Sequence, residues 1–540
     1  MKKLKLILTL LLGMFFMFSS CKKENSFLPK ENIPKPENQT EPDNEIILGD
    51  KLENAYSVKN MRQAYNNLKQ KSKIKYDIDI KTTHLYVRFL PENLNDLSIL
   101  QNDTTLELFD YPLDYRIIKE GLYYHDPAIP KEKPTWQYTV VPVNYVFPDI
   151  KYEIIEKCFI PKEHGKNKST DYYNELEDIV FESMKLTNNL TEEEKKELLQ
   201  NNQKRPSKEY PKGYIEVYNT NPLPGHQNLE GVKRIKVRVY RGVKISSTYT
   251  DASGYYSIST GYRYNVHYSI IFKNSTGFKI WGNRAFLAPA CYNMGKHSKT
   301  GYTKYIYTNS VAWLWSTVNN GTYIYREFLC PAYGINKPPA NIRLWSLRMG
   351  GNNLGSAPMA RQISLNASTF KNYLIALGVL QQTAYIINVM PDIFIVKDFK
   401  NTKYAYGTIF HELSHASHYT KAGKPYWINY INGIILNGGN YGDGTGRLDG
   451  YIGVGEMWGN YFGYICEKRY FDNVWLGGTH DWFKPQILKR VDDEISGMTP
   501  NKLFYCLQST VTNHQKLKNK LISYYGNSSK INQIFSHYGF

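Results

Sequence analysis

Residues 409–419 read IFHELSHASHY, with three histidines and one glutamate inside eight positions. On a helix, His411 and His415 are four residues apart, so they share a face and lie one turn from each other. Both imidazoles can then reach one point beside the helix, and the carboxylate of Glu412 is next to it. Ile409, Phe410 and Leu413 supply the apolar positions of a core-facing side. The bland alternative is a helix whose histidines are satisfied polar neighbours among tyrosines. His418 is on the same face but about 10 Å further along the axis, too far to share a metal with His411 from one unbroken helix. It is expected beside the site, as support or as a substrate contact, or as a plain polar residue near the helix end.

The flanks supply context. YIINVMPDIFIV (385–396) is strand-like, with an interruption at Pro391. After the motif, the Gly- and Asn-rich run GIILNGGNYGDGTGRLDG leads into VGEMWGNYFGYICEKRYF, where Met457, Tyr461, Tyr464 and Ile465 have helical spacing. Zinc sites of catalytic type need a third protein ligand. Glu456, the first glutamate after the motif and at the start of this expected helix, is the leading candidate, with Asp449 and Asp443 as alternatives. A structural role for Glu456 would be interaction with the helix dipole. His480 in GGTHDWF, and Tyr451, are candidate donors to a developing oxyanion.

His411, Glu412 and His415 form the HExxH pattern, which resembles the zincin metallopeptidases. With a glutamate from a following helix, the arrangement is similar to a gluzincin. The metzincin pattern fails, because His418 and Lys421 stand where it requires glycine and histidine. GTGRLDGYIG is close in composition to the GTxDxxYG motif of aspartate-liganded families, but its aspartate is displaced by two positions. The resemblance implies Zn2+ held by His411, His415 and Glu456, Glu412 as general base, and a zincin-like α+β domain over 285–540.

The first stretch, MKKLKLILTLLLGMFFMFSSC, has a basic beginning (Lys2, Lys3, Lys5) and an apolar run of only about a dozen residues, a signal rather than a span. Small residues directly before Cys21 make it resemble a bacterial lipoprotein signal over 1–20, which implies that Cys21 is lipidated. Residues 21–48, rich in Lys, Glu, Asn and Pro, read as a flexible tether. Lys22-Lys23-Glu24 resembles the export tag of surface lipoproteins in Bacteroidota. The implied location is the cell envelope, on the outer membrane and facing outward, with the membrane reached through the N-terminal lipid. No later run of 18 apolar residues occurs.

The net charge of +18 falls to about +15 without the leader lysines. There is no dense basic run and no zinc-knuckle spacing, so a nucleic-acid partner is not expected. Cys158, Cys291, Cys330, Cys466 and Cys506 are scattered without CxxC, which argues against a cysteine zinc site.

Two further parts are expected. Residues 49–205 read as an α+β domain: SVKNMRQAYNNLKQKS is helical, and THLYVRFLP alternates Leu85, Val87 and Phe89 with Tyr86, Arg88 and Leu90 as a strand does. LTEEEKKELLQNN is a charged helix opened by a Thr191/Glu194 capping box. Residues 212–280 hold short β-rich runs between turn clusters, the pattern of a β-sandwich. Thr250, Asp251, Gly254 and Tyr256 make this part similar to the carboxypeptidase regulatory-like domain family, which implies an accessory sandwich. The expected whole is a multidomain α+β protein. Its resemblances imply an anchored zinc metallopeptidase acting on extracellular proteins, peptides or glycoproteins. The alternatives are a non-catalytic surface lipoprotein that binds a glycan or protein, and a zinc hydrolase of a non-peptide amide.

Overall fold

The computed structural model describes residues 45–540 apart from 131–132, 164–167, 201–204, 223–226, 283–288, 309, 349–353 and 379–389. The leader, Cys21 and most of the tether lie outside these residues. The fold has begun before residue 48, where the expected tether was to end. Glu45 bridges Tyr123, Ile46 is 2% exposed, and β1 (Ile47–Lys51) pairs with β3 (Tyr115–Lys119). The apolar run Ile46-Ile47-Leu48 has already joined the fold where the composition still reads as linker.

In the first part, α1 (Val58–Gln70) starts where Ser57 Oγ accepts from the Asn60 amide. Met61, Ala64, Tyr65 and Leu68 form its buried face, packed against Leu176 and Ile179 of α2 (Thr170–Leu186). The expected strand is β2 (His84–Phe89), central between β4 (Gln137–Pro142) and β5 (Tyr152–Cys158). Leu85, Val87 and Phe89 are buried with Arg88 and Leu90 partly exposed, as alternation requires, and only Tyr86, as buried as Val87, breaks the pattern. The capping box forms as read at α3 (Glu192–Gln200): the Thr191 amide donates to Glu194 Oε2 at 2.9 Å, and the Glu194 amide donates to Thr191 Oγ1 at 3.2 Å.

The second part is two packed sheets. In one, β6 (Lys212–Tyr218) pairs with β7 (Leu229–Gly231), β10 (Tyr255–Ser257) and β14 (Lys304–Ile306). In the other, β8 (Ile235–Arg241) lies between β9 (Lys244–Tyr249) and β11 (Val266–Asn274), and β13 (Cys291–His297) pairs with β11. Ile215, Val217, Val237, Val239 and Phe272 share the core between them. Gly254 is at φ +82°, where a Cβ would lie 2.4 Å from the Ile215 carbonyl oxygen, so the turn of the Thr-Asp-x-x-Gly motif requires glycine.

The expected end of the sandwich at 280 is not a structural boundary. β13 and β14 complete it from further along the chain. β12 (Lys279–Trp281) also carries its second sheet onward: it meets β11 at Lys273 and Lys279 and runs parallel to β15 (Arg343–Leu347). β17 (Ile393–Val396) continues the parallel run, and β16 (Leu354–Ser356) closes the edge antiparallel to it. A single apolar core runs from the sandwich into the helices of the third part. Residues 385–389 of the expected strand before the motif lie outside the described residues.

Against this sheet pack α4 (Val311–Ile324) and α6 (Thr402–Ala422); α8 (Asp449–Lys468) packs on α6, and α7 (Lys424–Leu436) joins α8 to α5 (Ala367–Ala376). Four more helices follow: α9 (Gln486–Glu494), α10 (Pro500–Cys506), α11 (His514–Tyr525) and α12 (Ser528–His537). Among the described residues no helix is long and apolar enough to cross a membrane, and Cys158, Cys291, Cys330, Cys466 and Cys506 are free thiols.

Candidate metal centre

α6 begins where the Asn401 side chain accepts from the Tyr404 amide, and it ends at Gly423, whose φ of +81° turns the chain into α7. Ala405, Ile409, Phe410, Leu413 and Ala416 are fully buried on its core side. The other side of α6, with His411, Glu412 and His415, meets α8.

The approach of α8 depends on glycine. Gly455, Gly459 and Gly463 recur every four residues along one stripe. A Cβ at Gly459 would stand 2.7 Å from His415 Cε1 and 3.1 Å from His411 Cε1; at Gly463 it would stand 3.1 Å from His411 Cα. With hydrogen there instead, the two helices come close enough for Glu456 to reach both rings. Glu456 Oε1 is 3.4 Å from His415 Nε2, Oε2 is 3.5 Å from His411 Nε2, and the two Nε2 atoms are 3.0 Å apart.

These separations suit one small cation. Tetrahedral zinc with bonds near 2.0–2.1 Å places neighbouring donors about 3.3 Å apart. Two imidazole nitrogens and a carboxylate oxygen are donors that zinc takes. The residual valences agree. Glu456 is 1% exposed, and its Oε1 accepts from the Tyr430 hydroxyl at 2.6 Å. Its Oε2 has no hydrogen-bond partner among the described residues. A buried carboxylate oxygen left without a donor costs free energy unless positive charge meets it. The residues present therefore fit a divalent metal of the zinc type.

The protonation pattern follows from the same crowding. Burial pulls His411 down, but Glu456 and Glu412 outweigh it and leave its pKa above the ordinary value. Burial dominates at His415 and pushes it down to about 4. At Glu456, burial is overcome by the two histidines and the Tyr430 hydrogen bond, so its pKa lies below the carboxylate norm. Glu412 is 4% exposed, and burial raises it to about 8, with His411 opposing and Glu456 adding to the rise. Its carboxylate lies within 4.8 Å of the His411 and His415 donors. It also faces β16, where a Cβ at Gly355 would be 2.5 Å from Glu412 Oε1.

The other expected residues fall elsewhere. Asp449 is buried but fully engaged: Oδ1 accepts from Asn437 Nδ2 at 2.8 Å, and Oδ2 accepts from the Gly444 and Gly446 amides at 3.0 Å. Asp443 is exposed and accepts from the amide and hydroxyl of Thr445. Glu456 does not start its helix. Asp449 does, and Glu456 lies seven residues further in, beyond the reach of the terminal dipole. His480 is exposed in the turn at 477–480. Tyr451 is half-buried with its ring edge-on to Tyr426, 5.0 Å between centroids. His418 is fully buried in contact with Tyr426 and Trp427, its ring nitrogens unpartnered among the described residues, and burial holds its pKa at about 3.

Three contributors escape a reading based on spacing. Tyr430 on α7 orients Glu456, and its ring stacks on Trp427 at 5.0 Å. Trp427 and Tyr430, three residues apart just after the motif, were the available signal. Tyr441, in the loop before α8, has its pKa driven well above the ordinary range, first by the charge of Glu456, then by burial, then by Glu412. The charges of Glu456 and Glu412 thus act on the hydroxyl of a residue that is itself 40% exposed. Gly459 is the third, and its signal is the four-residue glycine interval.

Comparison with known protein families, with curated proteins and with solved structures gave no match to this chain.

Proposed function

We propose that this chain is a zinc-dependent metallopeptidase, similar in its site to gluzincins, that hydrolyses peptide bonds of extracellular proteins or peptides. The reading includes attachment to the cell envelope through a lipid on Cys21. The observation that carries it is the donor triangle of His411, His415 and Glu456, with the Glu412 carboxyl beside it.

Zinc held by those three residues would lower the pKa of a water and polarise a carbonyl oxygen. Glu412 takes a proton from the attacking water and returns it to the leaving amine nitrogen. A carboxyl buried enough to titrate near neutrality suits both halves of that transfer. Tyr430 holds Glu456 in orientation by its 2.6 Å hydrogen bond. The Tyr441 hydroxyl donates to the oxygen that gains charge as the carbon becomes tetrahedral. β16 is the edge of its sheet, and an extended peptide can hydrogen-bond to that edge with its scissile bond beside Gly355 and Glu412.

The test is metal content by elemental analysis on chains purified without added metal. Wild type is expected to hold about one zinc per chain, and Glu456→Ala to lose most of it. Wild type that takes up no zinc even when it is supplied would overturn the proposal.

A further inference from the structure

A cavity of about 450 Å3 lies between the N-terminal part and the sandwich, remote in its lining from the metal centre. Such a volume is in the range of small-molecule sites. Its floor is a row of three side chains on neighbouring strands: Tyr240 on β8 is the register partner of His267 on β11, which is the partner of Lys296 on β13. The Tyr240 ring stacks on the His267 imidazole at 5.1 Å, and its hydroxyl is fixed by a 2.8 Å hydrogen bond with Tyr111. The floor is thus rigid.

Two of its polar groups lack short partners. His267 Nδ1 is buried without a hydrogen bond among the described residues, and the Glu120 carboxylate stands 3.6 Å from it. Lys296 Nζ lies 3.6 Å from Glu194 Oε1. That carboxylate is already taken: Arg241 donates to both its oxygens at 2.8 and 2.9 Å, and the Thr191 amide donates to Oε2. Burial accordingly pushes the Lys296 ammonium down to about 8, with Arg241 adding to the fall and Glu194 opposing it. An ammonium and an imidazole that converge on a cavity without short acceptors call for a bound anion. The mouth has the opposite character. Glu192 and Glu193 of α3 are exposed there, Glu192 with one oxygen on Lys195 Nζ at 2.7 Å.

We infer that this cavity binds a short zwitterionic peptide, its carboxylate on Lys296 and His267 and its ammonium toward Glu192 and Glu193. The site shares no residue with the metal centre, and it stands whether or not that centre is a peptidase.

The test is calorimetry on the full chain carrying Glu412→Gln, so that no peptide is consumed. The probes are alanylalanine, its C-terminal amide, its N-acetyl form and maltose. Alanylalanine is expected to bind once per chain, with affinity falling about tenfold or more for the amide and for the acetylated form. Lys296→Gln should lower it to the same degree, and Lys296→Arg should restore most of it. The blocked peptides need no variant, so the proposal stays testable if Lys296→Gln melts early. Binding that is indifferent to Lys296 or to either blocking group would overturn it, as would heat from maltose alone or no heat at millimolar dipeptide.

Discussion

α8 carries two buried carboxylates in different surroundings. At its amino end, Asp449 is 2% exposed and closes a loop: two backbone amides and the Asn437 side chain use its oxygens. Seven residues on, Glu456 is 1% exposed, takes one phenol hydrogen bond on Oε1, which also faces His415 Nε2, and turns its remaining oxygen toward His411 Nε2. The two acids have the same burial and the same helix, so neither property separates structure from chemistry. The unfilled hydrogen-bonding capacity does. A satisfied acid holds a loop, whereas an acid with a free lone pair facing other donors of the same kind is built for a guest.

The contrast can be broken or sharpened by substitution. The largest effect is expected from Glu412→Gln, which removes the proton carrier while leaving the three donors intact. Peptide turnover should fall about 10²–10⁴-fold with zinc per chain unchanged. Full turnover by that variant would remove Glu412 from the reaction. Tyr441→Phe comes next, with kcat lowered about 10²-fold, KM little changed and zinc retained, as expected for a donor to a transient oxyanion. An unchanged kcat there would make the phenol a bystander.

Gly459→Ala tests the glycine approach. Its methyl group would force the His415 ring from its place, and zinc affinity, measured by competition with a chelator, should weaken about 10–100-fold. The smallest effect belongs to Asp449→Ala. Leaving two amides and an asparagine unpaired should cost about 1–2 kcal/mol in denaturant unfolding, without change in zinc content. If Asp449→Ala lost zinc while Glu456→Ala kept it, the roles assigned to the two carboxylates would be reversed.

Much of the local detail was legible in the residues. The helix spacing put His411 and His415 on one face, the Thr191/Glu194 cap formed where it was read, and the sandwich strands alternate with their turn clusters. The linker composition was less informative, because three apolar residues at its end outweigh its charged average once a partner strand is present. The sandwich boundary was illegible. β12 is three residues long, and its place depends on parallel pairing with a strand more than sixty residues later.

By itself, then, the sequence determined what depends on near neighbours: the period that aligns two histidines and a glutamate, the caps, the turns and the glycine interval along α8. These are set by backbone geometry over a few residues. Only the tertiary structure decided which of three acids meets the histidines and that Tyr430 holds that acid in orientation. Those outcomes rest on which lone pairs local amides have already filled and on how closely two helices can approach. Both depend on atoms brought together from distant parts of the chain.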